Sequence, residues 1–295
     1  MVWSGDKPDW TIDGRDWPHR EASAFVTAGS IRWHVQQYGR GRAALLLHGT
    51  GASSHSFADL GAALSEDCRV VAPDLPGHGF TDTPRFSSMS LPGMAACVGD
   101  LTSALQLEFD IVVGHSAGAA VLVEMISRNL VRPRALISIN GALAPFDGVG
   151  GLIFPALAKL LFLNPFVPAL FAQGAGRAER IARLIEETGS RPPPRNVELY
   201  ARLLRRAGHA SGALAMMANW DLSYMADKLR RLPIPALFVA GENDRAVPPD
   251  QARIAASLAP NGRSMTMTGA GHLAHEERPA EVAALIRAFA AETGL

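Results

Sequence analysis

Residues 111–120 read IVVGHSAGAA, an apolar run that leads into Gly114-His115-Ser116-Ala117-Gly118 and two further alanines. The apolar run predicts a buried strand, and the small residues after it predict a helix that packs closely on a sheet. A serine between glycines at such a strand-to-helix turn is typical of a nucleophile elbow, where a Cβ on either flank would clash. An ordinary glycine-rich turn also fits this pattern, so the stretch alone leaves both interpretations open.

Strand and helix patterns alternate on both sides of this stretch. Helical patterns lie at residues 57–64, 91–105, 117–129, 249–258 and 280–293. Short β-rich runs, several of them apolar throughout, lie at residues 24–28, 31–38, 44–47, 69–72, 111–113, 135–139, 236–240 and 264–267. Continuous apolar strands suit a mainly parallel sheet that helices cover on both faces. The pattern predicts an α/β fold with a mostly parallel eight-stranded sheet.

The strand pattern stops between the sixth and seventh predicted strands. Helical periodicity replaces it at residues 178–188, 197–207 and 210–220. We therefore expect a core domain formed by residues 1–144 and 230–295, with residues 145–229 inserted as a helical lid. A lid at this place would cover the carboxyl ends of the strands, where open α/β sheets bind their ligands.

Composition and charge exclude several classes of function. The 295 residues include 28 basic and 28 acidic side chains, and 48% of them are hydrophobic. Because the basic residues are scattered rather than concentrated on one face, nucleic-acid binding is not expected. The first twenty residues lack the apolar core of a secretory signal, which favours a cytoplasmic location. Cys68 and Cys97 show no metal-binding spacing and are interpreted as small buried side chains.

One stretch, residues 151–172, is apolar enough to raise the question of a membrane span. Pro155, Lys159 and Pro165 interrupt it, so no unbroken run reaches the length of about 18 residues that a spanning helix needs. The stretch is better explained as part of the lid, which could still contact a membrane surface peripherally.

Two further motifs supply partners for a serine nucleophile. The predicted strand 236–240 runs into Gly241-Glu242-Asn243-Asp244, and His272 follows 28 positions after Asp244. A serine hydroxyl needs an imidazole base, and the imidazole needs a carboxylate that fixes its tautomer. We predict Ser116 as the nucleophile, His272 as the base and Asp244 as the acid, in the chain order Ser–Asp–His. Glu242 competes with Asp244 but lies nearer the end of the strand.

The apolar strand 44–47 ends in His48-Gly49-Thr50-Gly51, which predicts an oxyanion hole. The loop after the third strand and the residue after the nucleophile supply its backbone donors, here the amides of Thr50 and Ala117. His48 is interpreted as a structural residue. Substrate contacts are predicted at the following positions: Gly49, His115, Phe154 and Met217.

No cofactor or metal is predicted. His272 and His275 stand three residues apart, but no third ligand has the spacing of a metal site, so His275 is interpreted as a hydrogen-bonding residue.

These motifs resemble the α/β-hydrolase superfamily over nearly the whole chain. More closely, the chain resembles the magnesium-chelatase accessory proteins encoded in bacteriochlorophyll gene clusters. That resemblance rests on long stretches: HGTGASSHSF at residues 48–57, APDLPGHGFT at 72–81, VVGHSAGAA at 112–120, NGAL at 140–143, MMANWDL at 216–222, GENDRAVPP at 241–249 and GHLAHEE at 271–277. It implies the α/β-hydrolase fold and a link to tetrapyrrole metalation, and it specifies no reaction.

The residues favour an esterase-like hydrolase that cleaves a small-molecule ester or thioester through an acyl-enzyme. A serine at the elbow argues against dehalogenase and epoxide hydrolase chemistry, which uses a carboxylate nucleophile in this fold. The apolar lid favours a hydrophobic substrate, and the resemblance extends this to a tetrapyrrole ester, a phytyl-type ester or a lipid. The alternative is a non-catalytic accessory protein that binds a tetrapyrrole or the chelatase machinery and keeps the triad as an inherited feature.

Overall fold

The computed structural model describes residues 6–145 and 178–295. Its strands are β1 Ser23–Ala28, β2 Ile31–Gly39, β3 Arg42–Leu47, β4 Cys68–Pro73, β5 Ile111–His115, β6 Ala135–Ile139, β7 Ala236–Gly241 and β8 Gly262–Met267. They form one sheet in the order β1-β2-β4-β3-β5-β6-β7-β8. The pairs β1–β2 and β2–β4 are antiparallel and the other pairs are parallel. The predicted eight-stranded, mostly parallel sheet is confirmed.

The central strands of the sheet are buried on both faces, which explains their continuous apolar sequences. In β3, Leu45 and Leu47 belong to the core on one face, and Leu46 belongs to the core on the other. All three leucines are fully buried. A strand covered on both sides has no solvent face for polar residues, so the alternation of a half-exposed strand is absent.

Helices cover the two faces of the sheet. Those outside the β6–β7 connection are α1 Ala58–Leu64, α2 Leu91–Leu105, α3 Ala117–Ser127, then α8 Asp250–Leu258, α9 Ala274–Glu277 and α10 Pro279–Glu292. Helices α2 and α3 contribute Leu91 and Val121 to one core, and α1 and α10 contribute Leu60 and Ile286 to the other. Because β3 to β8 run parallel between these two layers of helices, their carboxyl ends lie at one common edge of the sheet.

The connection between β6 and β7 is the insert that the sequence predicted, and its described part is helical. It contains α4 Ala178–Glu187, α5 Pro194–Leu204, α6 Ala207–Ala218 and α7 Met225–Arg230. The predicted start of α5 at residue 197 is three residues late, because Pro194 fits the first turn of a helix. The apolar stretch 151–172, with Phe154, lies outside the described residues. No helix in the two described ranges is long and apolar enough to span a membrane.

The N-terminal segment, residues 6–17, packs against the insert. Arg206, the residue before α6, makes a two-point ion pair with Asp13, through Nε to Oδ2 at 3.0 Å and Nη2 to Oδ1 at 3.0 Å. Arg202 of α5 pairs with Asp16. The residues in contact here lie more than 180 positions apart in the chain, so no local sequence pattern could predict the contact.

Candidate active site

Ser116 stands on the turn between β5 and α3. Its backbone has φ 50° and ψ −119°, a conformation that a non-glycine residue adopts only when the surrounding structure holds it there. A Cβ at Gly118 would lie 2.1 Å from the carbonyl oxygen of Leu47, so only glycine lets α3 approach β3 this closely. The strained turn therefore presents the serine at the carboxyl end of the sheet.

Two backbone hydrogen bonds hold this turn in place. The amide of Ser116 donates to the carbonyl of Ile139 over 3.1 Å, and the amide of Ala142 donates to the carbonyl of Ser116 over 3.2 Å. Both partners belong to the end of β6 and the residues after it. The neighbouring strand thus stabilises a backbone conformation that the residue itself disfavours.

His272 and Asp244 form a directly bonded pair. Nδ1–H of His272 donates to Oδ2 of Asp244 over 2.8 Å. The same oxygen accepts from Nδ2 of Asn140 over 2.7 Å, and Oδ1 accepts the amides of Ala246 and Val247 over 2.8 and 2.9 Å. The Asp244 side chain is fully buried, with its charge satisfied by these four donors. A carboxylate at Nδ1 leaves Nε2 of the ring as the proton acceptor.

Glu242, the competing acid, lies elsewhere. Its side chain is exposed and accepts the amide of Gly269 over 2.8 Å, which braces the turn after β8. Asp244 is therefore the carboxylate of the two that contacts His272.

Ser116 and His272 line one cavity of about 170 Å³. The cavity lies between the core and the insert, since α4 and α5 supply part of its wall. Aliphatic side chains make up much of the lining: Ala52, Ile181, Leu184, Ile185, Leu204 and Leu273. Gly49 and His115, two of the predicted substrate contacts, also line it. Such a wall favours an apolar ligand over an ionised one.

Met217 is not among the described residues that line this cavity, and a substrate contact there stays a prediction. Its neighbour Met216 is fully buried and accepts a hydrogen bond from the Thr50 hydroxyl, with Oγ1 and Sδ 3.6 Å apart. Successive helical residues point about 100° apart, so the residue that faces the loop cannot also be Met217. Phe154, the remaining predicted contact, lies outside the described residues.

The two residues whose amides are predicted to form the oxyanion hole both lie close to Ser116. Thr50 lines the same cavity as Ser116, and Ala117 is the first residue of α3. The first amides of a helix have no acceptor within the helix, so an amide at the position of Ala117 is a candidate donor to an anionic oxygen.

His115 contacts His272 rather than the solvent. It is buried, and its Nε2–H donates to the carbonyl oxygen of His272 over 2.9 Å. The two rings lie 4.8 Å apart between centroids. Burial holds the pKa of His115 well below the ordinary value for histidine, so the ring is a neutral donor at this carbonyl. Sequence reasoning placed His115 near the site without this role.

A buried network behind the cavity was not predicted. The carboxyl of Glu276 contacts the Tyr200 hydroxyl at 2.7 Å and Nδ2 of Asn196 at 2.9 Å, and it also accepts from Ser56. Burial raises the pKa of Glu276 to about 7. The network links α5 to α9, two helices from distant parts of the chain, so no local motif could have revealed it.

A metal centre finds no support in the arrangement of these side chains. No three His, Cys, Asp or Glu side chains among residues 6–145 and 178–295 are grouped to hold a metal ion. His275, the partner considered for His272, directs Nε2 to the Ser56 hydroxyl over 2.8 Å.

Known proteins with similar sequences include a chelatase subunit and an ester hydrolase. The model of the alpha/beta hydrolase family matches residues 44–285. The magnesium-chelatase 30 kDa subunit of Rhodobacter capsulatus is 37% identical over 263 residues, which cover 88% of this chain and 92% of that protein. The pimeloyl-[acyl-carrier protein] methyl ester esterase of Xanthomonas campestris is 30% identical, over 84% of this chain and 96% of that enzyme.

Solved structures show the same architecture at lower identity. The epoxide hydrolase CorEH superposes with a TM-score of 0.77 at 21% identity, covering 92% of this chain and 98% of its own. At this identity the likeness describes the fold and not the reaction.

Proposed function

Because the chain belongs to the alpha/beta hydrolase family, we propose that it is a serine hydrolase that cleaves a carboxylic ester or thioester. The observation that carries the proposal is that His272 is hydrogen-bonded to Asp244 and lines the same cavity as Ser116. A strained serine, an imidazole bonded through Nδ1 to a carboxylate, and the burial of that carboxylate are the features that nucleophilic acyl transfer needs.

The proposed reaction has two halves. His272 Nε2 takes the proton of the Ser116 hydroxyl as Oγ attacks the carbonyl carbon, and the amides of Thr50 and Ala117 bind the oxygen that becomes negative. His272 then gives its proton to the departing alcohol or thiol. In the second half, His272 Nε2 takes a proton from a water molecule as the water oxygen attacks the acyl carbon, and the proton passes to Ser116 Oγ as the bond from Oγ to the acyl carbon breaks and the acid leaves. Asp244 keeps the proton on Nδ1 and stabilises the imidazolium throughout.

We propose a hydrophobic substrate. The described wall of the cavity contains six aliphatic side chains, and one of them, Leu184 of α4, remains 42% exposed. Contact between this exposed leucine and an apolar ligand would remove apolar surface from water, which lowers the free energy. The esterase relative from Xanthomonas campestris supports ester cleavage, and residues 145–229 would serve as the lid.

Other chemistries of the fold fit less well. The likeness to an epoxide hydrolase concerns the fold, and a serine occupies the elbow where that chemistry uses a carboxylate. A second candidate function is a non-catalytic accessory protein at the magnesium-chelatase step, which the identity to the Rhodobacter capsulatus subunit favours. In that case the Ser116 hydroxyl would be unreactive.

A fluorophosphonate probe and a p-nitrophenyl acyl ester distinguish these functions. We expect the wild-type protein to react with the probe at Ser116 and to hydrolyse the ester. Ser116→Ala should lose the label and at least about 10⁴-fold of the rate while keeping its fold. Ser257→Ala, on the exposed face of α8, is the matched control and should behave as wild type. A wild-type protein that resists the probe would favour the accessory function.

A further inference from the structure

Two buried imidazoles hold the loop that carries the proposed oxyanion donor Thr50. Nδ1–H of His48 donates to the carbonyl oxygen of Gly49 over 2.8 Å. Nε2–H of His209 donates to the carbonyl oxygen of Gly51 over 3.0 Å. The carbonyls on both sides of Thr50 therefore each have a side-chain donor. One donor comes from the loop itself, and the other comes from α6 of the insert.

Hydrogen bonds at the opposite nitrogens determine the tautomers of these rings. The amide of Leu75 donates to Nε2 of His48 over 2.8 Å, and the amide of Gly79 donates to Nδ1 of His209 over 3.0 Å. A ring nitrogen that accepts an amide carries no proton, so each ring is neutral and its other nitrogen is the donor. Burial lowers the pKa of both histidines to about 3, which keeps this arrangement at neutral pH.

The consequence for Thr50 follows from the geometry of the peptide bond. The C=O of Gly49 and the N–H of Thr50 belong to one planar trans unit and point in opposite directions. A donor bound at the Gly49 oxygen therefore sets the direction of the Thr50 N–H. The hydrogen bond from His209 fixes the carbonyl group of Gly51, two residues after Gly49. Thr50 is thus held between two anchored peptide planes.

The helix that carries His209 is itself anchored. Arg206, three residues earlier, forms the ion pair with Asp13, and the amide of Gly208 donates to the carbonyl of Asp6 over 3.0 Å. A Cβ at Gly212 would lie 1.9 Å from the carbonyl oxygen of Gly77, so α6 lies directly against the loop after β4. His209 consequently projects from a rigid base, which is what a precise hydrogen bond requires.

We propose that His209 is a positioning residue for the oxyanion hole, through which α6 of the insert sets the orientation of the Thr50 loop. The inference rests on the proposed serine hydrolase function and deepens it. The insert then does more than cover the cavity, because its contact at Gly51 contributes to stabilising the transition state. His209 does not touch the substrate and acts through the loop.

Three substitutions separate the two hydrogen bonds of the ring. His209→Asn keeps an acceptor near the position of Nδ1 for Gly79 and loses the donor to Gly51. His209→Gln keeps a donor near the position of Nε2, and His209→Phe removes both bonds while filling the space. Removing an oxyanion donor costs about 10²–10³-fold in kcat, so loosening one should cost about 10-fold or more in the Asn and Phe variants. We expect His209→Gln to recover most of that loss.

The readouts distinguish positioning from a general loss of structure. We expect kcat to fall while KM changes little, and the affinity for a trifluoromethyl ketone, whose adduct occupies the oxyanion hole, to fall in parallel with kcat/KM. His78→Asn is the matched control. His78 is buried with its ring 5.5 Å from that of His209, and its Nδ1–H donates to the carbonyl of Pro76, a bond that Asn can replace.

Amide hydrogen exchange of residues 49–52 is measured on the same proteins. We expect faster exchange in His209→Phe than in wild type or His78→Asn, because the loop has lost an anchor. Unchanged exchange together with an unchanged kcat in His209→Phe would overturn the inference. Failure of the proposed function looks different, since the wild-type protein itself would then resist the fluorophosphonate probe.

Discussion

Asp244→Asn is the substitution for which the structure predicts the most specific effect. Oδ1 of Asp244 accepts two backbone amides, and Oδ2 accepts Nδ1 of His272 and Nδ2 of Asn140. An asparagine has one acceptor oxygen and one NH₂ group. Whichever way its amide is turned, the NH₂ faces two donors that the carboxylate had satisfied.

The less costly orientation keeps the oxygen on the two backbone amides and turns the NH₂ toward His272. The imidazole can then bond only by moving its proton from Nδ1 to Nε2, where it no longer accepts the proton of Ser116. This wrong tautomer should lower kcat by roughly 10²–10⁴-fold. The Nδ2 group of Asn140 stays opposed to a donor in a buried site, which costs about 1–3 kcal/mol of stability.

The assay is turnover of a p-nitrophenyl ester, with urea unfolding followed on the same samples. Glu242→Gln is the matched control. The Glu242 side chain is exposed, and a glutamine oxygen can still accept the amide of Gly269, so stability should change by less than about 0.5 kcal/mol and kcat by less than twofold. The assignment of the acid would be refuted if Glu242→Gln lost more activity than Asp244→Asn.

Two further predictions concern stability in acid and substrate length. Burial lowers the pKa of five histidines from 6.5 to about 3 or 4, namely His48, His55, His78, His209 and His275. Their stabilisation is complete above pH 6.5 and is lost as the pH falls, by about 1.4 kcal/mol per pH unit for each ring that protonates only when unfolded. The buried carboxyl of Glu276 has the opposite effect on stability, because its raised pKa favours the folded state at lower pH. Urea midpoints at pH 7 and pH 5 test this, and equal midpoints would contradict it. For substrates, each buried methylene is worth about 0.8 kcal/mol, so kcat/KM should rise about fourfold per carbon along an acyl series until the cavity is full. A maximum at acetate would exclude a hydrophobic acyl group.

The sequence alone was sufficient for the sheet and for the elements that carry the predicted triad. The strand pattern around IVVGHSAGAA and the apolar residues of β3 are local features, because burial on both faces of a strand leaves a direct trace in its composition. The positions of Ser116, Asp244 and His272 follow from short motifs at strand ends, and parallel strands bring those ends to a common edge.

Only the tertiary structure shows which residues from distant segments of the chain contact each other. The sequence predicted Asp244 rather than Glu242 as the acid, but only the structure shows that Asp244 contacts His272, 28 positions away, while Glu242 accepts the amide of Gly269. Asn140, His115 and His209 form hydrogen bonds across 104, 157 and 158 positions, and nothing in the sequence next to each residue identifies its distant partner. A side chain's direction depends on the packing of the whole fold, whereas a strand or helix can be recognised from its own residues.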